Sequence, residues 1–80
     1  MKQFDGIIKT DKETLLFSFS RVYATTGEKY FVSTYKSKRF YPFDMKKDES
    51  GKWRVPEFAP KWLKSIEQEL SNLINQNQRT

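Results

Sequence analysis

The chain has 80 residues, no cysteine and no histidine, with 15 Lys and Arg set against 10 Asp and Glu for a formal charge of +5. That composition allows no disulfide framework, thiolate nucleophile, zinc knuckle or iron–sulfur site, and it lacks the usual general base, which removes most enzyme classes. An aromatic content of 16% marks a folding sequence rather than a disordered one, and the length suits one small domain.

The start of the chain carries one lysine and turns polar without the apolar stretch of a secretory signal. The longest apolar run, Leu15-Leu16-Phe17, is far short of the ~20 residues that cross a bilayer. The expectation is a soluble cytoplasmic protein with no membrane association.

Short apolar runs between polar turns predict an antiparallel meander. The first strand spans about 4–9, with Ile7 and Ile8, and stops at the polar loop Thr10-Asp11-Lys12-Glu13. The second, 14–24, alternates Leu15, Phe17 and Phe19 with Leu16, Ser18 and Ser20, as a half-buried strand does. Thr25-Thr26-Gly27-Glu28 places its glycine where a hairpin needs positive φ. The third strand, 29–36, puts Phe31 and Tyr35 on one face and Tyr30, Val32 and Thr34 on the other, which suits a central position.

Lys36-Ser37-Lys38-Arg39 forms a tight basic turn into a fourth strand, 39–46, where Tyr41, Phe43 and Met45 share a face. Pro42 has no N–H for a ladder, so this strand is expected at an edge or at a bulge. After the turn Asp48-Glu49-Ser50-Gly51 comes a fifth strand, 52–55, with Trp53 and Val55 opposite Lys52 and Arg54. Pro60, at a first-turn position, opens one amphipathic helix over 60–75. Leu63, Ile66, Leu70, Leu73 and Ile74 form its apolar face, Phe58 is expected to staple onto Leu63, and the tail 76–80 is expected to fray. The fold class is therefore α+β: a five-stranded meander, as a curled sheet or small barrel, with a C-terminal helix packed on it.

The charge is not spread evenly. Residues 1–28 and 55–80 are each neutral, whereas 29–54 holds Lys29, Lys36, Lys38, Arg39, Lys46, Lys47, Lys52 and Arg54 against Asp44, Asp48 and Glu49. The same segment carries Tyr30, Phe31, Tyr35, Phe40, Tyr41, Phe43 and Trp53. Cations interleaved with rings suit single-stranded nucleic acid, because cations neutralise phosphates while rings stack on unpaired bases. If Phe17, Phe19, Val32, Phe43 and Val55 fill the core, then Tyr35, Phe40, Lys38, Lys52 and Arg54 lie on the opposite, open face. The candidate nucleic-acid set is Tyr35, Lys36, Lys38, Arg39, Phe40, Lys46, Lys47, Lys52 and Arg54.

Other motifs carry less. Ser33-Thr34-Tyr35-Lys36 has the S-x-x-K spacing of serine acyl enzymes, but on a strand the two residues point to opposite faces. Asp44, Asp48 and Glu49 read as turn charges, with Lys46 and Lys47 opposing a divalent ion, and no metal or cofactor is expected. The competing functional reading is a protein-interaction module or homodimer using Phe58, a half-exposed Trp62 and the strand edge near Pro42. The meander-then-helix layout is similar to that of single-strand-binding domains of the Pur type, which dimerise through their helices; no motif is shared. The expected function is a non-enzymatic domain binding single-stranded nucleic acid with little sequence preference.

Overall fold

The computed structural model describes residues 3–25 and 27–78. Strands β1 (Gln3–Lys9), β2 (Thr14–Ala24), β3 (Gly27–Lys36), β4 (Arg39–Lys47) and β5 (Trp53–Arg54) pair in chain order as an antiparallel meander curled into a half-barrel. Helices α1 (Lys61–Ser65) and α2 (Glu67–Gln78) follow, and α2 touches both β5 and β1, spanning the opening between the outer strands. Phe17, Phe19, Tyr30, Val32, Phe43, Met45 and Trp53 line the inner face of the sheet and are closed over by Leu63, Ile66, Leu70 and Ile74. Phe4 stacks on Phe19 at 4.5 Å between centroids, and Tyr30 meets Trp53 edge-on at 5.0 Å, geometries that aromatic rings favour. At Gly6 a Cβ would lie 2.7 Å from Leu73 Cδ1, so the missing side chain lets α2 approach β1.

The alternation-based face assignment holds. Phe17, Phe19, Val32, Phe43 and Val55 are buried, and Tyr35, Phe40, Lys38, Lys52 and Arg54 are exposed. β3 is central, and β5 covers β4 only at Lys46 and Lys47, which leaves the Pro42 stretch of β4 on a free edge as its missing N–H requires. The fifth strand is shorter than expected, two residues rather than 52–55.

The helical segment departs from expectation in four places. Pro60 is the N-cap (φ −63, ψ 156) rather than a first-turn residue. The helix breaks for one residue at Ile66 (φ −108, ψ 12). Ser65 Oγ donates to Trp62 O at 2.7 Å, competing with Ile66 N–H at that carbonyl, and Ile66 N donates to Leu63 O at 3.2 Å. Phe58 is 89% exposed whereas Leu63 is buried, so there is no staple: Ala59 N closes a turn onto Pro56 O at 3.0 Å and lifts the ring into solvent. Residues 76–78, expected to fray, belong to α2, and Gln78 Nε2 donates to Glu28 Oε1 at 2.8 Å; 79–80 lie outside the described residues.

Two turns show how local chemistry sets the meander. Thr10 Oγ1 donates to Glu13 O at 3.0 Å and accepts from Glu13 N at 3.1 Å, a side-chain turn that ends β1. Gly27 has the positive φ expected (124°), while Thr26 lies outside the described residues. At the β3–β4 hairpin, Ser37 (φ 52) and Lys38 (φ 66) are both in the left-handed region, the pattern of a type I′ turn built without glycine. Among the described residues, no helix is long and apolar enough to cross a membrane. Replacing Ser37 with Asn and Lys38 with Gly relieves the left-handed strain and is expected to stabilise the fold by about 1 kcal/mol, or roughly 4–8 °C in Tm. Thermal unfolding followed by circular dichroism measures this, and a lowered midpoint contradicts the turn assignment.

Candidate functional site

The outer face of the sheet is ordered in rows across the strands. Lys29 lies directly opposite Lys46, and Lys46 directly opposite Arg54, so three cations stand side by side on one face, about 4.8 Å apart from strand to strand. One row away, Phe31 opposes Asp44, and the next row holds Ser33 and Pro42. Beyond Arg54 the chain leaves the sheet, and Val55, Pro56, Glu57 and Phe58 run beside the uncovered edge of β4. The space between is a groove of about 800 Å³ whose lining includes Phe31, Pro42, Lys46, Arg54 and Phe58. Two of its three rings are accessible, Phe31 at 41% and Phe58 at 89%, while Phe43 is buried.

Like charges directly opposite each other on a sheet cost stability, so this row needs compensation. Lys29 Nζ reaches Asp44 Oδ2 at 3.2 Å. Arg54 lies between two carboxylates, its Nη1 3.8 Å from Asp48 Oδ2 and its Nε 3.5 Å from Glu67 Oε1. Lys46, in the middle, takes part in no ion pair among the described residues. Edge-strand lysines block aggregation elsewhere, but at Lys46 the strand is covered on both sides, by β3 and β5. The fold therefore gives the exposed Lys46 neither an ion partner nor a strand edge to guard.

The walls of the groove are held by α2. Ser71 Oγ accepts from Trp53 N–H at 3.2 Å, and Glu67 Oε2 accepts from Val55 N–H at 2.9 Å. These two side chains satisfy the outward N–H groups of an edge strand that has no sixth strand beside it. The second oxygen of Glu67 lies 3.5 Å from Arg54 Nε and ties that guanidinium to α2. On the loop before β5, Asp48 Oδ1 accepts from Ser50 Oγ (2.7 Å), Ser50 N (2.9 Å) and Lys52 N (3.0 Å), with Gly51 at φ 88. Those bonds, that from the Ser50 hydroxyl foremost, hold the Asp48 carboxyl below its ordinary pKa, with Arg54 adding to the effect.

The residues singled out from sequence do not converge on one site. Tyr35 and Phe40 are in ring contact at 5.1 Å, with Lys38 in the adjoining turn, whereas Arg39 opens β4 opposite Lys36 and so faces the inner side with it. Six residues along β4, roughly 20 Å away, stand Lys46 and Arg54. Lys36 and Lys47 lie on the inner side of the sheet: Lys36 pairs with Glu13 at 3.2 Å and sits 5.4 Å from the Trp62 ring, and Lys47 lies 5.5 Å from the Trp53 ring. Lys52 is exposed on the β4–β5 loop. Trp62, the expected contact residue, is half-buried and packs edge-on against Tyr41 at 5.2 Å. Sequence reasoning missed Lys29 and Phe31 as site residues and placed Phe58 in the competing interaction set. Among the described residues, no group of three or more carboxylates could hold a metal ion.

Comparison with protein-family models, with curated proteins and with solved structures finds no match.

Ser71→Ala leaves the buried Trp53 N–H without an acceptor and is expected to cost about 1–3 kcal/mol, read from chemical unfolding followed by tryptophan fluorescence; an unchanged midpoint would show that the bond holds nothing. Because the folded-state pKa of Asp48 is depressed, its contribution to stability is complete above its unfolded value near ~4 and disappears as pH falls through the lower folded value. Asp48→Ala should accordingly be less stable than the parent at pH 7, and the difference should shrink below about pH 4. A gap independent of pH would contradict the role given to the carboxylate.

Proposed function

We propose that the domain binds single-stranded nucleic acid, without catalysis and with little sequence preference, in the groove between β4 and residues 55–58. The row Lys29, Lys46 and Arg54 carries this reading, since it gathers three cations on one face and leaves Lys46, between two paired neighbours, without an ion pair beside two accessible rings. A phosphodiester passing along the row meets cations, and a base turned into the groove meets Phe31 on one side and Phe58 on the other. Such stacking is indifferent to base identity because every base has a π face. The volume of about 800 Å³ is in the range of ligand clefts and leaves room for a short stretch of strand, not a duplex. The absence of histidine and cysteine favours binding over chemistry, and the absence of cysteine is consistent with a cytoplasmic setting.

Fluorescence anisotropy of a labelled 12-mer oligothymidylate tests the proposal. With three cations engaged, the log–log dependence of affinity on salt should have a slope of about −2. Phe58→Ala should weaken binding roughly 5- to 100-fold, the loss of one stacking contact, and Lys46→Glu should reduce both the affinity and the salt slope. Phe58→Ala should leave Tm nearly unchanged, and Lys46→Glu, which sets opposite charges against both Lys29 and Arg54, should not lower it. The proposal fails if no binding occurs at low salt, or if binding survives both substitutions intact.

A further inference from the structure

The opposite end of the outer face carries a feature the groove does not use. Ile7 lies directly opposite Leu16, and Tyr35 directly opposite Phe40; the β2–β3 register continues one step past Phe17 and Thr34 to set Leu16 beside Tyr35. The four form one continuous row across β1 to β4, and they are exposed by 61%, 57%, 67% and 49% respectively. Thr34 Oγ1 donates to Leu16 O at 2.7 Å from the inner side and ties the two middle strands together beneath the row. Side chains of this size at these exposures leave roughly 500 Å² of apolar surface open, at the upper end for a monomer.

We infer that this row is the interface of a homodimer, two copies packing outer face to outer face with their strands antiparallel. Two such rows would together remove roughly 1,000 Å² of apolar surface from water before any rim is counted, the scale at which a specific interface becomes stable. The flanking residues match a second copy of the same face. On β1 the open-face sequence is Asp5, Ile7, Lys9, a charge of each sign two residues to either side of the apolar position. A two-fold axis along the row lays each strand on its own counterpart in reverse, which brings Lys9 over the partner's Asp5, and Asp5 over the partner's Lys9. Along β2 the same operation sets Thr14 against the partner's Ser18. Along β3 and β4 it sets Ser33 and Pro42 against the partner's hairpin turn, Ser37 and Lys38, so no like charges oppose one another. Asp5 and Lys9 take part in no ion pair within the chain among the described residues, and both are exposed. An isologous contact requires this kind of self-complementarity. The contact is centred on Leu16 and Tyr35, in the two middle strands of the row.

Sedimentation velocity across a concentration series to about 100 μM, where a contact of this size self-associates, reads the outcome. The full chain should sediment as a dimer at the top of the series, and Leu16→Lys should sediment as a monomer while keeping its circular dichroism and its oligonucleotide affinity. Asp5→Lys alone and Lys9→Asp alone should each weaken the dimer about tenfold, by turning two attractive rim pairs repulsive. The double variant Asp5→Lys/Lys9→Asp should restore it. A chain that stays monomeric throughout overturns the inference. So does a dimer indifferent to Leu16→Lys, which would place the contact on another face, or a double variant no better than either single one, which would contradict the antiparallel register. Oligonucleotide binding by the Leu16→Lys monomer keeps failure of the dimer distinct from failure of the groove.

Discussion

The short fifth strand depends on two side chains of α2. β5 makes ladder contact through only Lys46–Arg54 and Lys47–Trp53, too little to keep a strand in register alone. Ser71 and Glu67 supply acceptors to Trp53 N–H and Val55 N–H where another strand would otherwise stand. Trp53 is thereby fixed in the core against Tyr30, and the chain beyond Val55 is directed along the free edge of β4. The 55–58 wall of the groove and the position of Arg54 descend from this one arrangement. In an 80-residue domain, where one or two kcal/mol is a large part of the total, a helix acting as a surrogate strand has wide consequences.

The outer face is divided in its chemistry along the strand direction. One end is grooved and charged, with the Lys29, Lys46 and Arg54 row among its carboxylate partners, the other is apolar, and a band of Asp5, Ser18, Ser33 and Pro42 separates them. Each end carries a cost the fold alone does not require: like charges side by side at one, exposed aliphatic and aromatic surface at the other. Costs of this kind collect where a surface meets something else. Pairing two copies through the apolar end would leave both grooves open.

Period-two alternation over 15–19 and 30–36 is sufficient to assign the buried and open faces, because a strand residue has only two directions to point. Pro42 likewise reports an edge or a bulge from sequence alone, and the short β5, which covers only Lys46 and Lys47, makes it an edge. The break at Ile66 is hidden because it turns on Ser65 choosing a backbone acceptor, a choice that composition does not encode. Phe58 looks like a staple residue by spacing, and only the turn at Pro56–Ala59 shows that it faces water. The charge maximum over 29–54 is legible, but its division is not: cross-strand register brings Lys29, Lys46 and Arg54 together from three strands and sends Lys36 and Lys47 to the inner side.

Residue-resolved NMR of the ¹⁵N-labelled chain, titrated with a short unlabelled single-stranded oligonucleotide, locates any binding without a substitution. Shift changes confined to Lys29, Phe31, Lys46, Arg54 and the 55–58 segment are the result expected from the cation row and its groove. Changes centred on Tyr35, Lys38, Arg39 and Phe40, or none at saturating oligonucleotide, would contradict it.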